Sequence, residues 1–464
     1  MKNVLAVLVI AAAMGNAQER LTMDNAVATA LEQNHVLRGS YHDLESSRWG
    51  YKNAVSNFLP KVEISSSLTR IDPESDRRAN AAVDFIKSAG PSLGVPPSAL
   101  SDLRPFSYRD AYATNVTVVQ PIYNGGAEII GLRAASTAEE KNEYAYEDTE
   151  QDVVARVRTA YYSVLKAQEL VDLATESSAR TTRWLELTRR SAALGSRTQT
   201  DILRFEVQLA ADEGTVVNAQ NALELAHLQL NEVMGVDLRN TYVLEGVPLP
   251  DTSIADAGSQ QSLFQFASQR TGLLTPSPVD DSFLAAHPSM RMMEANLHLA
   301  DLGVDQAWTT FQPRVNLAFQ YGWERNNTFS LDGIRPWALS LSVSFPIFNG
   351  FGDYTKLQQA RSTYERTGEQ VESYRRGLLL QATNASLALT SAHKRIEIAK
   401  VGLRHAEDVL ASVSRRYDLG AASNVDIIDA QTAYTSAKTN FITAVYDSYI
   451  AETQLARARG TITH

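Results

Sequence analysis

The chain repeats short motifs at one fixed interval, and this repetition constrains its fold more than any other feature. Leu194-Gly195 returns as Leu419-Gly420, and Asp201-Ile202 returns as Asp426-Ile427, each 225 residues later in a chain of 464. Solenoid repeats are far shorter, at about 20 to 50 residues. The sequence therefore predicts a duplicated half-molecule, in which both halves supply the same elements to one shared structure.

The ends and the composition of the chain indicate an exported protein. Residues 1–17 have the pattern of a secretory signal peptide, and the remainder divides into a first repeat (18–240), a connector (241–280) and a second repeat (281–464). The absence of cysteine excludes disulfides and thiolate metal sites. The net charge of -10 argues against a nucleic-acid partner. We therefore predict a protein of a bacterial periplasm or outer membrane.

Four segments alternate apolar and polar residues with a period of two, which is typical of β-strands with one apolar face. Each is about ten residues long, the length of a tilted strand that crosses an outer membrane, and aromatic residues lie at the strand ends. Two soluble hairpins packed on a core are the alternative, and we favour strands whose apolar face contacts outer-membrane lipid. The predicted strands are about 61–70, 112–121, 314–323 and 337–346.

Four strands are too few to close a barrel in a membrane. The smallest known barrels have about eight strands, and open sheet edges are not tolerated in lipid. The barrel must therefore be shared between chains, as eight strands in a dimer or twelve in a trimer. The strand pattern by itself does not choose between the two.

Each half also contains one helix far longer than those of globular domains, followed by a return helix. The helices are predicted at about 125–192 and 198–235 in the first half, and at about 351–418 and 423–459 in the second. The return helices begin with capping-box-like segments, Thr198 to Asp201 and Ser423 to Asp426. The sequence thus predicts two antiparallel helical hairpins, each with its tip at a Leu-Gly pair.

Six short motifs occur at fixed places in this order of elements: Phe58-Leu-Pro60, Phe311-Gln-Pro313, Gln120-Pro-Ile-Tyr-Asn-Gly-Gly126, Phe345-Pro-Ile-Phe-Asn-Gly-Phe351, Arg416-Tyr-Asp-Leu-Gly420 and Val425-Asp-Ile-Ile-Asp-Ala430. With these motifs and their order, the chain resembles the TolC-like outer-membrane efflux protein family over essentially the whole mature chain. The resemblance implies a mainly α fold with a membrane β-barrel: a homotrimer in which a twelve-strand barrel continues into a periplasmic α-helical barrel.

The resemblance also implies roles for residues at the tips. Asp426 and Asp429 would line the periplasmic constriction as rings of carboxylates, whose crowding would raise their pKa values. Simpler alternatives stay open for both residues. Asp426 can serve only as a helix cap, and Asp429 can be a solvated helix residue without a role in the constriction. Tyr417 and Asp201 match positions that hold the tip closed in the family.

One position departs from that closing pattern. The family tends to place an arginine two residues after the tip glycine of the second repeat, where this chain has Ala422. The first repeat has Arg197 at the equivalent place, and the sequence leaves open whether it compensates. The resemblance also implies that a periplasmic adaptor contacts the tips at Leu194-Gly195 and Leu419-Gly420. Alternatively, these glycines serve only to end the helices.

The first hairpin of strands carries 28 residues more than the second, about 71–109, which we predict to be a long external loop. Two alternatives for the role of this insert stay open: it caps the pore mouth, or it is disordered and has no role.

No catalytic constellation, metal pattern or cofactor motif is found in the sequence, so we expect no enzyme and no cofactor. The predicted function is a passive exit duct that works with an adaptor and an inner-membrane pump, whose substrate the sequence does not reveal. The alternative is an exported coiled-coil scaffold that spans the periplasm without conducting. A simple diffusion porin is disfavoured because most of the chain reads as helix.

Overall fold

The computed structural model describes residues 20–247, 281–326 and 335–462. The predicted signal peptide and residues 248–280 of the predicted connector lie outside these ranges. The helices are α1 (Met23–Gln33), α2 (His35–Ser56), α3 (Pro73–Ala89), α4 (Pro97–Ser101), α5 (Ala127–Ala193), α6 (Gln199–Met234), α7 (Pro288–Trp308), α8 (Gly352–Asp418) and α9 (Asn424–Ala458). The strands are β1 (Arg20–Leu21), β2 (Lys61–Arg70), β3 (Asp110–Asn124), β4 (Val243–Leu244), β5 (Arg314–Asn326) and β6 (Trp337–Ser344).

Four strands form one antiparallel sheet in the order β2-β3-β5-β6, so the two repeats meet at its centre, between β3 and β5. The register places the apolar positions of all four strands on one face, because side chains alternate along each strand. Those positions include Val62, Ile64, Val116, Val118, Leu317, Phe319, Tyr321, Leu339 and Leu341. The opposite face carries mainly small, hydroxyl and amide side chains.

The central strands are longer than the sequence pattern indicates, and the last strand is shorter. β3 begins at Asp110 and continues to Asn124, with a register shift between Pro121 and Tyr123. β6 ends at Ser344, two residues before Pro346, which has no N–H to donate to a ladder. Strand ends depend on pairing with the neighbour, which alternation within one strand does not encode.

The insert in the first strand hairpin is not a loop without secondary structure. Residues 73–89 form the 17-residue helix α3, whose start is capped by the Asp72 side chain. The buried Asn80 donates to the carbonyl of Ser107 at 2.8 Å and accepts from its N–H at 3.0 Å. The insert therefore contains an ordered helix, against which a side-chain amide holds the returning chain, and its external position stays a prediction.

The two long helices have equal lengths, 67 residues each in α5 and α8, and the return helices have 36 and 35. At about 1.5 Å per residue, each long helix extends for about 100 Å. In the described ranges no helix carries an apolar stretch long enough to cross a bilayer.

The chain forms two compact units, and neither coincides with one sequence repeat. The described part of one comprises 20–44, 141–247, 281–294 and 370–462, and that of the other comprises 45–140, 295–326 and 335–369. The second contains the four-stranded sheet. Each unit contains residues of both repeats. In the second unit this follows from the sheet, which takes two strands from each repeat.

The unit that contains the return helices has a core of tyrosines and branched side chains. Tyr161 of α5 and Tyr446 of α9 are each only 1% exposed. The Tyr161 hydroxyl lies 2.8 Å from the carbonyl oxygen of Leu21 and 2.9 Å from that of Glu245. It therefore anchors the parallel pair of β1 and β4 to α5, and this pair includes the start of the predicted connector.

Candidate functional site

Both helical hairpins turn in the same way at their tips. Gly195 and Gly420 have φ angles of 79° and 74°, the left-handed conformation that glycine adopts without steric cost. In each tip the glycine N–H and the next N–H bond back to the last turn of the long helix, as in a Schellman motif. The preceding leucines, Leu194 and Leu419, are 86% and 83% exposed. The predicted tip residues therefore form two equivalent turns with bare apolar side chains.

The return helices begin with the predicted capping boxes. In α6, Asp201 accepts from the N–H of Thr198 at 2.9 Å, and the Thr198 hydroxyl accepts from the N–H of Asp201. Asp426 and Ser423 repeat the same exchange at the start of α9. The backbone and side-chain hydrogen bonds to these carboxylates hold the pKa of Asp201 and the pKa of Asp426 below the usual range.

A buried hydroxyl network joins the two tips within one chain. The Tyr417 side chain is 4% exposed, and its hydroxyl donates to the Asn424 side-chain oxygen at 2.9 Å. The Thr188 hydroxyl lies 2.6 Å from the same oxygen of Tyr417. The Asn424 amide then donates to the backbone carbonyl of Asp201 at 3.1 Å. Tyr417 thus reaches Asp201 through Asn424, and burial raises the pKa of Tyr417.

Arg197 closes this network from the first hairpin. Its guanidinium donates to the carbonyl of Ala422 at 3.0 Å and lies over the Tyr417 ring, 4.8 Å from the ring centre. Arg197 of the first repeat thus contacts Tyr417, whereas the second repeat has Ala422 at the position where the resemblance implies an arginine. We call Thr188, Arg197, Tyr417, Ala422 and Asn424 the tip lock.

Three members of this region were not singled out from the sequence: Thr188, Asn424 and Phe205. Phe205 is fully buried and meets the Tyr417 ring edge-on at 6.1 Å. At the equivalent positions of the other repeat stand Val413, Gln199 and Ala430. All three residues thus differ between the repeats, which is the sequence feature that could have identified them.

Asp429 stands apart from the tip lock. It lies one helical turn beyond Asp426, and both side chains are exposed. Its counterpart in the first repeat, Arg204, is also exposed. In the single chain the cap lowers the pKa of Asp426, whereas the predicted rise concerns carboxylates of several chains and stays a prediction. Within the described residues no cluster of three or more His, Asp or Glu side chains could hold a metal ion.

The chain resembles known bacterial proteins in sequence. It is 27% identical to the protein CyaE of Bordetella pertussis over 327 residues, which cover 70% of this chain and 65% of CyaE, just under two thirds of that protein. It is 23% identical to the outer membrane protein TolC of Vibrio cholerae, with coverage of 76% and 77%.

A solved structure and a family model extend the comparison to nearly the whole chain. The Campylobacter jejuni CmeC outer membrane channel matches with a TM-score of 0.73 and 17% identity, covering 95% of this chain and 85% of CmeC, which shows the shared fold. The model of the family described as outer membrane efflux protein matches residues 26–236 and 281–461. These ranges include both helical hairpins and all four strands of the sheet, so the chain belongs to the outer membrane efflux protein family.

Proposed function

We propose that this protein is a passive exit duct that assembles as a homotrimer and receives cargo from an inner-membrane pump through a periplasmic adaptor. In this proposal the pump supplies the energy for transport, and the duct carries out no catalytic step. The observation that supports this proposal best is the sheet, with one apolar face, one polar face and two edge strands that pair with no further strand in the described part of the chain. Such a sheet suits lipid on one side and a water-filled lumen on the other.

The edges of the sheet support closure between copies. β2 and β6 lie at opposite edges and run antiparallel to each other, since three antiparallel pairings separate them. The β6 edge of one copy can therefore pair with the β2 edge of the next in the antiparallel sense of all its other pairings. Closure removes the edges that lipid would not tolerate. Three copies give the twelve strands that the family resemblance implies.

We further propose that the helical tips form the gate. The tip lock ties the two hairpins of one chain together, which favours a closed resting state. In a trimer, Asp426 and Asp429 of three chains would form stacked acidic rings at the constriction, which favour cations and disfavour anions. The exposed Leu194 and Leu419 would offer the adaptor apolar contacts at the tips.

The charge of the proposed ring is tested by planar-bilayer recording of the purified, full-length protein. Asp429→Asn is expected to lower the cation-over-anion permeability ratio, because it removes one carboxylate per chain from the constriction. Glu365→Gln, an exposed position of α8 far along the chain from the tip, is the charge-matched control. An unchanged reversal potential in Asp429→Asn would refute the ring, whereas a wild-type protein without conductance would favour the scaffold alternative.

The cargo class is a property of the pump in this proposal. The duct itself offers a lumen wall of small hydroxyl and amide side chains, which discriminates little between solutes of different chemistry. Exchange of the pump and adaptor in cells, with this duct held constant, is expected to change the exported compounds. If the exported set stays the same after the exchange, selectivity lies in the duct.

A further inference from the structure

A groove between α5, α6 and α9 contains a buried polar group that the duct function does not use. The groove has a volume of about 610 Å³, and Gln431 of α9 is one of its lining residues. The Gln431 side chain is 4% exposed, yet its amide oxygen has no hydrogen-bond partner among the residues that the structure describes. An unpartnered buried carbonyl is costly, so a bound molecule with a hydrogen-bond donor would stabilise it.

The orientation of this amide follows from its neighbours. The Gln431 nitrogen donates to the hydroxyl of Ser177 at 2.9 Å and to that of Thr435 at 3.4 Å. The reverse orientation would leave two N–H groups without acceptors instead of one carbonyl. The orientation with the oxygen unpartnered is therefore the favoured one.

A carboxylate, that of Asp212, lines the same groove. Thr181 of α5 donates to one oxygen of Asp212, and Gln208 donates to the other at 2.9 Å. Because Ser177 and Thr181 are one turn apart on the same face of α5, the Gln431 and Asp212 side chains bind adjacent positions of that face. A carboxylate has about four lone-pair sites, so Asp212 retains capacity for a further donor.

The remaining lining residues define what kind of molecule fits. Among the described residues that line the groove, Asp212 is the only ionisable one. Arg180 and Lys438, which lie on the same stretch of α5 and α9, bind Glu176 instead. Part of the lining is apolar: Leu170, Leu173, Ala174, Ala211 and Ala219.

We propose that this groove binds a small organic cation with an apolar stem, whose ammonium group donates to Asp212 and to the Gln431 carbonyl. The site is independent of pore conduction, so it can hold even if the proposed duct function fails. Its ligand class follows from one carboxylate, one unpartnered carbonyl and an apolar lining.

The probe for this site is 1,6-diaminohexane, titrated calorimetrically into the purified full-length protein in detergent. Saturable binding is expected for the wild type, whereas 1,6-hexanediol, which has the same stem without charge, is expected not to bind measurably. Asp212→Asn is expected to weaken diamine binding by about tenfold or more, since it removes a charge-assisted hydrogen bond.

Two further variants make the result specific. Gln431→Leu tests the carbonyl and is also expected to weaken binding, with thermal unfolding used to verify that the variant folds. Glu213→Gln removes the same charge one residue from Asp212, outside the groove, and is expected to bind as the wild type does. The proposal is overturned if the wild type shows no saturable binding, if the diol binds equally, or if Glu213→Gln weakens binding as much as Asp212→Asn.

Discussion

At the scale of single residues, Tyr417 is the centre of the contact between the two helical tips. Its hydroxyl satisfies the buried Asn424 oxygen, and its ring carries the Arg197 guanidinium. The sequence comparison identified Tyr417 and left the role of Arg197 open. The structure shows Arg197 of the first hairpin bound to the Ala422 carbonyl and over the Tyr417 ring of the second.

Removal of the Tyr417 hydroxyl is expected to loosen the tips. Tyr417→Phe leaves the buried Asn424 oxygen without its donor, at a cost of about 1–3 kcal/mol in free energy of unfolding. The variant should have a lower thermal midpoint and a higher single-channel conductance or open probability. Tyr364→Phe, at a tyrosine that is 39% exposed, is the matched control. Equal effects in both variants would contradict the role of the tip lock.

His287 is expected to make stability depend on pH. The residue is 1% exposed, and burial lowers the pKa of His287 from its ordinary value of 6.5. The charge of Arg457 acts in the same direction, whereas the charge of Asp148 and a hydrogen bond with the Arg457 backbone raise this pKa by less. The unfolded chain therefore binds more protons below that pH, so the free energy of unfolding decreases as pH falls from about 6.5 towards the folded pKa.

Thermal unfolding at pH 7.5 and pH 5.5 measures this dependence. His287→Gln should reduce the difference between the two midpoints, because glutamine keeps a polar group beside Ser289 and does not titrate. His405→Gln, at an exposed histidine of α8, should leave the difference unchanged. A pH dependence that survives His287→Gln intact would locate the titration elsewhere.

At the scale of elements, two glycines of α8 and its tip should respond to alanine in opposite directions. Gly402 lies inside the helix, and a Cβ added to it would have open space around it. Gly402→Ala is therefore expected to raise the free energy of unfolding by about 0.5–1 kcal/mol. Gly420 has a φ angle of 74°, so Gly420→Ala is expected to lower it by about 1–2 kcal/mol. Chemical denaturation of both variants tests this, and shifts of equal sign would contradict it.

The helices and strands also show which element boundaries can be predicted from local sequence patterns. Helix ends were predicted within about two residues, because capping boxes and tip glycines are local signals. The helix α3 in the insert after β2 was not predicted, because its composition also occurs in loops and the hydrogen bonds between Asn80 and Ser107 join residues 27 positions apart. Strand ends shifted for the same reason, since the neighbouring strand decides how far a ladder extends.

At the scale of the whole molecule, cysteine chemistry can test the proposed closure between copies. The chain has no cysteine, so introduced thiols react without background. A variant with Ser65→Cys on β2 and Ser340→Cys on β6 is expected to yield covalent species of two and three chains with a short bifunctional thiol reagent. The control is a second double variant, Ser65→Cys with Asn316→Cys, in which the second cysteine lies on the central strand β5. Species of at most two chains would favour a dimer over the proposed trimer.

The amino-acid sequence by itself determines the duplicated order of strands and long helices, the caps, the tip turns and the family. Periodicity, capping residues and glycine conformations act over a few neighbouring residues, so they can be read along the chain. Only the tertiary structure decided that Arg197 binds across the hairpins and that Asn424 bridges Tyr417 to Asp201. It also decided that Gln431 contacts Ser177 and that its carbonyl has no partner among the described residues. Those contacts join residues about 200 apart or more, and they depend on how helices pack, which no local pattern encodes.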